Sequence, residues 1–199
     1  MNIAVIGNGN VGGTLGRRWA EVGHDVVFGV RGPESNAGPV KAQSVKEAVA
    51  GADVVVFALP YSAIVEAATG LDLSGKVLVD CTNPIAPDFS GPAAKAGSAS
   101  EELAKATGSN LVVKAFNTCG YEVMADPNFR GRKATMLICG NDAGAKETVA
   151  KLAADLGFEP ADAGPLSQAR WLEAFAWVWI SMSMKYGHGR SMAFLLEKR

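Results

Sequence analysis

The first dozen residues constrain this chain more than any other stretch. Asn2-Ile3-Ala4-Val5-Ile6 reads as an apolar strand, and Gly7-x-Gly9-x-x-Gly12 turns out of it. The segment that follows repeats Val11, Leu15 and Trp19 every four residues, a spacing that puts them on one face of a helix. Each glycine has its own task in such a turn. Gly7 permits the tight turn off the strand, Gly9 lets a pyrophosphate approach the backbone, and Gly12 lets helix and strand pack closely. The helix N-terminus then offers unpaired N–H groups and a partial positive charge to phosphates. In a chain with 23 glycines the pattern alone says little, but a strand before it and a helix after it are the context that dinucleotide binding requires. Asn8, Asn10 and Val11 lie in the same turn and join the glycines as candidate cofactor-binding residues.

The 199 residues fit one domain, and an apolar share of 48% suffices for a substantial core. A net charge of −1 with no basic run excludes a nucleic-acid footprint. No basic n-region followed by an apolar h-region opens the chain, so no signal peptide is expected. Cys81, Cys119 and Cys139 are an odd set without C-x-x-C spacing, which argues for a reducing compartment and against disulfides or zinc. Only His24 and His188 could contribute imidazole, so no metal centre is expected. The expected location is the cytoplasm.

A second strand, residues 26–30, ends at Arg31. NAD sites usually place an acid about 20 residues past the glycines to bind the ribose 2′-hydroxyl. Here the first acid is Glu34, three residues beyond Arg31. A guanidinium at that point pairs with a 2′-phosphate through charge-assisted hydrogen bonds, which favours NADP. Residues 32–39 read as a loop and 40–43 as an edge strand, after which Ser44 and Glu47 form a capping box that opens a short helix. The continuous apolar run at 53–59 predicts a central parallel strand with both faces covered, ended by Pro60. A helix at 62–69, a strand at 76–80, a long loop at 81–97, a helix from Ser98 and a strand at 110–116 follow. The expected fold is α/β, a Rossmann-like doubly wound, mostly parallel sheet over residues 1–117. Residues 118–199 read as a small C-terminal strand and helix extension of the same domain, serving the acceptor site and dimerisation. It comprises a strand at 133–139, a helix at 142–156, a short strand at 158–161 and an aromatic-rich helix at 166–186. That last helix is too short and too charged to span a membrane. Trp171, Phe175 and Trp179 fall on one of its faces and Trp177 and Ile180 on another, so a second copy of the chain is expected to cover one of them.

Ligands of such sheets bind beyond the carboxyl ends of the strands. That edge gathers Gly7–Gly12, Arg31, Leu59-Pro60-Tyr61, Cys81-Thr82-Asn83-Pro84 and Ala115-Phe116-Asn117-Thr118. No strong general acid or base stands among them, and a ketone or imine would call for one. Tyr61 is a candidate proton donor without a nearby lysine, and Cys119 a candidate nucleophile without a base. His24 precedes the second strand and so lies at the wrong edge. A flavin or deazaflavin accepts hydride without such help, because its ring delocalises the charge.

Gly7-Asn-Gly-Asn-Val-Gly12, Leu78-Val-Asp-Cys-Thr-Asn-Pro84, Val113-Lys-Ala-Phe-Asn117, Ile138-Cys-Gly140 and Asp162-Ala-Gly-Pro-Leu166 resemble the deazaflavin-dependent NADP reductase family. They are also similar to the cytoplasmic oxidoreductase domain of the six-transmembrane (STEAP) metalloreductases. The resemblance covers nearly the whole chain in order. It implies that Asn8 and Arg31 meet the 2′-phosphate and adenosine ribose, and that Leu59, Pro60, Asn83 and Ala115 line the nicotinamide, with Pro84 beside them. Val30 stands where many members have a serine on that phosphate, which implies weaker NADP affinity. The implied activity is hydride transfer between NADP(H) and a flavin or deazaflavin, in a homodimer that is soluble and haem-free. Two other readings stay open: an NADPH-dependent imine or carbonyl reductase using Tyr61, and a non-catalytic dinucleotide sensor.

Overall fold

The apolar run at the head of the chain becomes β1 (Asn2–Ile6), buried from its second residue onward, and the later runs assemble on either side of it. The computed structural model describes residues 1–32, 38–93 and 97–199. Glu34 and the loop expected around it therefore lie outside the described residues. The Gly turn leads into α1 (Asn10–Glu21), then β2 (Asp25–Val30) and β3 (Lys41–Ser44). The capping box at Ser44 and Glu47 forms with both of its hydrogen bonds and opens α2 (Val45–Ala50). Next come β4 (Val54–Phe57), α3 (Ile64–Ala68) behind a 3₁₀ turn at Tyr61–Ala63, and β5 (Val77–Asp80). The helix α4 (Ala99–Thr107) and β6 (Val112–Lys114) complete the first half.

The second half holds two elements that the sequence pattern did not reveal, because both are too short for a period to show. They are α5 (Tyr121–Ala125) and a hairpin of β7 (Asn128–Phe129) with β8 (Arg132–Lys133). Then follow β9 (Thr135–Gly140), α6 (Ala143–Asp155), β10 (Glu159–Asp162) and, behind a 3₁₀ turn at Leu166–Gln168, α7 (Ala169–Met184). One eight-stranded sheet runs in the order β10-β9-β6-β5-β4-β1-β2-β3. Its strands pair in parallel except at β6–β9, which is antiparallel, so β10 and β9 run against the rest. The order reverses between β1 and β4, which opens a crevice beyond their carboxyl ends.

Helices cover both faces, as continuous apolar central strands require. On one face Leu15 and Trp19 of α1 pack with Met124 of α5 and Leu152 of α6. On the other, Val49 of α2, Ile64 of α3 and Leu103 of α4 meet. Trp19 is fully buried, stands edge-on to Phe116 at 5.5 Å and donates its indole N–H to the Leu152 carbonyl at 3.0 Å. Its burial ties the first helix to the last third of the chain, at a value on the order of 3 kcal/mol.

The aromatic face of α7 departs from expectation in one respect. Trp179 is buried and Trp171 is 64% exposed, so the three aromatic residues at four-residue spacing do not share one environment. The chain covers much of that face itself. Beyond α7 its last residues fold back: the Trp179 indole donates to the Met192 carbonyl at 2.8 Å, and Phe194 lies 4.5 Å from Phe175. Trp171 and Val178 remain exposed.

Candidate active site

The glycine turn is built as three different constraints. Gly7 has φ +99°, and a Cβ there would sit 2.6 Å from the Ala58 carbonyl oxygen. A Cβ on Gly12 would lie 2.0 Å from the Gly7 carbonyl oxygen, so helix and turn touch where only glycine fits. Gly9 differs, because a Cβ there would meet no atom within 4 Å. Among the described residues no packing contact demands glycine at that place, which leaves its backbone open to a ligand. The first turn of α1 agrees: no side chain caps it, and it contains no acid. Its N–H groups and dipole are thus open to an anion.

Beside this turn lies a cavity of about 700 Å³, with Asn8, Arg31, Lys46, Leu59, Pro60 and Glu66 among its lining. Lys46 is a residue the sequence reading missed. The β2–β3 register sets Val30 against Ser44, so residues just beyond the two strand ends converge. A Cβ on Gly29 would sit 3.2 Å from the Val45 Cα, which shows how closely α2 lies on the end of β2. Arg31 and Lys46 are both exposed, and among the described residues neither makes an ion pair. Two unpaired cations facing one cavity suit a phosphate.

On the other side of the crevice the loops after β5 and β6 are stitched together. Asn83 donates its amide to the Asn117 carbonyl at 2.8 Å, and Asn117 donates to Asn83 Oδ1 at 3.1 Å and to the Leu172 carbonyl at 3.2 Å. Pro84 is buried beside them, accepting at its carbonyl from the Ala93 N–H at 2.6 Å. Ala115 is fully buried with its N–H bonded to the Asp80 carbonyl, so it forms the floor of this half. Thr82 Oγ1 and Asn117 Oδ1 are buried without a hydrogen-bond partner. Buried polar atoms of that sort call for one. Phe116, between Ala115 and Asn117, holds φ +58°, a costly conformation for a bulky residue. Its ring is clamped edge-on between Trp19 and Phe158, which maintains the strain.

Under these loops sits an ionic cluster that the sequence reading did not single out. Lys114 is fully buried, and its ammonium donates to Asp80 Oδ2 at 2.9 Å, Glu173 Oε1 at 2.8 Å and the Thr82 carbonyl at 2.6 Å. Asp80 also accepts from the Thr82 N–H at 2.8 Å and the Ser100 hydroxyl at 2.6 Å. Burial pushes the Lys114 ammonium toward its neutral form, but the two carboxylates outweigh it and raise its pKa. Burial raises the Glu173 carboxyl as well, against the opposing pull of Lys114. The signal was present in the sequence: a lysine inside the apolar run 110–116 must be paired where the strand is buried.

Among the acid–base candidates, Tyr61 and His24 are committed elsewhere and the thiols are held protonated. Tyr61 donates its phenol to Glu102 at 2.9 Å, and burial with that carboxylate pushes its pKa up to about 12. Burial, then Glu122, pushes the Cys119 thiol up to about 12, and burial raises Cys81 further still. Both thiols stay protonated and weakly nucleophilic. His24 pairs with Asp155 at 3.0 Å before β2, at the edge away from the crevice, and His188 lies exposed beyond α7. Among the described residues no helix is long and apolar enough to cross a membrane.

Known proteins supply the family. Residues 2–84 match the model described as NADP oxidoreductase, coenzyme F420-dependent. Rat metalloreductase STEAP3 is 36% identical over 180 residues, which cover 86% of this chain and 36% of that protein. The chain spans about a third of the length of the metalloreductases it matches. The F420-dependent NADP reductase of Methanocaldococcus jannaschii is 30% identical over 149 residues, 71% of this chain and 66% of that one. A candidate F420-dependent NADP reductase from Arthrobacter sp. FB24 aligns over 100% of both chains at 31% identity, with a TM-score of 0.88. Matched from end to end at that identity and TM-score, the chain belongs to the family of coenzyme F420-dependent NADP oxidoreductases.

Proposed function

We propose that this protein transfers hydride between NADPH and a flavin or deazaflavin ring. The observation that carries this reading is the division of the crevice: among the described residues, Arg31 after β2 and Lys46 on α2 make no ion pair, and Tyr61 and Cys119, beyond β4 and β6, hold their protons too tightly to donate them. NADPH, when bound, supplies the hydride, and a delocalised ring takes it up without a protein acid. The chain's own part is to hold and orient. Arg31 and Lys46 take the 2′-phosphate, with Asn8 beside them, and the uncapped turn of α1 with Gly9 takes the pyrophosphate. Leu59, Pro60, Asn83 and Asn117 confine the nicotinamide half. Rings held in contact need little else from the protein.

The imine or carbonyl reading would need Tyr61 as donor, yet its proton is engaged by Glu102. Cytoplasmic location and a homodimer belong to the same proposal, with Trp171 and Val178 as the apolar surface left for a second copy. The test is NADPH and NADH oxidation with FMN, FAD, riboflavin and coenzyme F420 as acceptors. Turnover with at least one ring, faster with NADPH, is expected; tight NADPH binding without transfer to any of them would favour a sensor instead.

A further inference from the structure

The buried cluster of Lys114, Asp80 and Glu173 does more than fill the core. An ammonium has three donors and no acceptor. Here all three are used, each on a different element: Asp80 at the end of β5, the Thr82 carbonyl in the loop beyond it, and Glu173 on α7. The Thr82 residue is consequently gripped at both ends, its N–H by Asp80 and its carbonyl by Lys114. The next residue is Asn83, which is bonded to Asn117, and Asn117 reaches the Leu172 carbonyl adjacent to Glu173. Glu173 in turn accepts from the Ala99 N–H at 3.0 Å, at the start of α4. Two neighbouring residues of α7 thus hold both loops of the nicotinamide half, one by charge and one by its carbonyl.

A hydrophobic trio of similar volume would fill the same space at no net loss of stability, since desolvating ions costs about as much as their pairing returns. What a trio of apolar groups cannot do is fix the direction of a peptide. We propose that Lys114, Asp80 and Glu173 are positioning residues that set the Thr82–Asn83 backbone for hydride transfer and couple it to α7. None of the three touches the cofactor in this account. It rests on the NADPH reading above, but its test does not depend on turnover alone.

Glu173→Leu is the informative variant, because it leaves a balanced pair of one ammonium and one carboxylate and so stays compatible with folding. Glu173→Gln keeps an acceptor oxygen for Lys114 and serves as the conservative control. Amide hydrogen exchange of the ligand-free proteins should show protection lost at residues 80–84 and 115–118 in Glu173→Leu, with residues 7–21 unchanged. Affinity for 2′,5′-ADP, which reports the adenosine half, should match the wild type. Single-turnover hydride transfer should fall by at least about tenfold, since an ångström of misplacement can cost more than that. Glu173→Gln should restore most of the protection and the rate. Exchange that rises evenly along the whole chain, or unchanged protection at 80–84, would overturn the proposal. If the wild type transfers no hydride while the exchange pattern appears, the functional reading fails and only the coupling of the Thr82–Asn83 backbone to α7 stands.

Discussion

Arg31, just past β2, and Lys46, on α2, carry charge at the surface, without an ion pair among the described residues, and line a cavity of about 700 Å³. A few strands away Lys114 carries the same charge with no exposure at all, its ammonium spent on two carboxylates and a carbonyl. The adenosine half would recognise its ligand by direct contact with charge. The nicotinamide half would hold its loops in place by charge that the ligand never meets. A surface arginine can be exchanged without disturbing the sheet, so cofactor preference is open to change at single positions. The buried cation cannot be removed alone without cost, because it is the only counter-charge the cluster gives its two carboxylates.

The sharpest way to break this contrast is to remove the buried cation. Lys114→Ala leaves Asp80 and Glu173 facing each other without a counter-charge, and should cost about 3–5 kcal/mol of unfolding free energy in denaturant titrations. The pH dependence has a definite sign. One carboxyl of the orphaned pair would titrate above its ordinary value, so its stabilising contribution is present below about 4.5 and lost as pH rises. The deficit against wild type should therefore be smallest in acid and grow toward neutrality. An equal deficit at every pH would mean that the two carboxylates do not interact.

The glycine turn separates fold from ligand within a few residues. Gly12→Ala should cost about 1–3 kcal/mol of stability, because its Cβ would collide with the Gly7 carbonyl. Gly9→Ala should leave unfolding unchanged and weaken NADPH binding in a fluorescence titration, since its Cβ meets no protein atom. Equal effects of the two on stability would remove the argument for a ligand at Gly9. A smaller change is expected at the cavity wall. Lys46→Ala should weaken NADPH by up to about 1 kcal/mol, more at low salt, and leave NADH alone. The smallest effect should be that of Tyr61→Phe on hydride transfer, within error of wild type with every flavin. A large loss of rate would revive the imine and carbonyl reading.

Much of the fold was legible because its central elements are strongly patterned. The apolar run ending at Pro60 could only be a covered strand, and the capping box at Ser44 and Glu47 marks a helix start by its chemistry. Boundaries shifted by a residue or two where strands run into loops, as at β6, which is confined to Val112–Lys114. The hairpin β7–β8 and α5 escaped notice because two to five residues carry no period. The geometry of the candidate site was readable where it depends on local sequence, as at the turn Gly7–Gly12. It was unreadable where it depends on partners far along the chain. Glu173 reads as a charge that interrupts an aromatic helix, and only the packing of α7 against α4 and β6 shows that it meets Lys114. Phe116 gives no sign in sequence of its left-handed backbone, which the rings of Trp19 and Phe158 impose.

The division between affinity and transfer is tested most directly with Arg31→Ala. Its NADPH dissociation constant should rise by the equivalent of about 1.5–3 kcal/mol, the worth of a hydrogen bond to a charged group, while that for NADH stays the same. At saturating NADPH, the single-turnover rate of hydride transfer to the best flavin-type acceptor should equal that of the wild type. A rate that falls along with the affinity would contradict the account, because it would show that the adenosine half also governs the geometry at the nicotinamide.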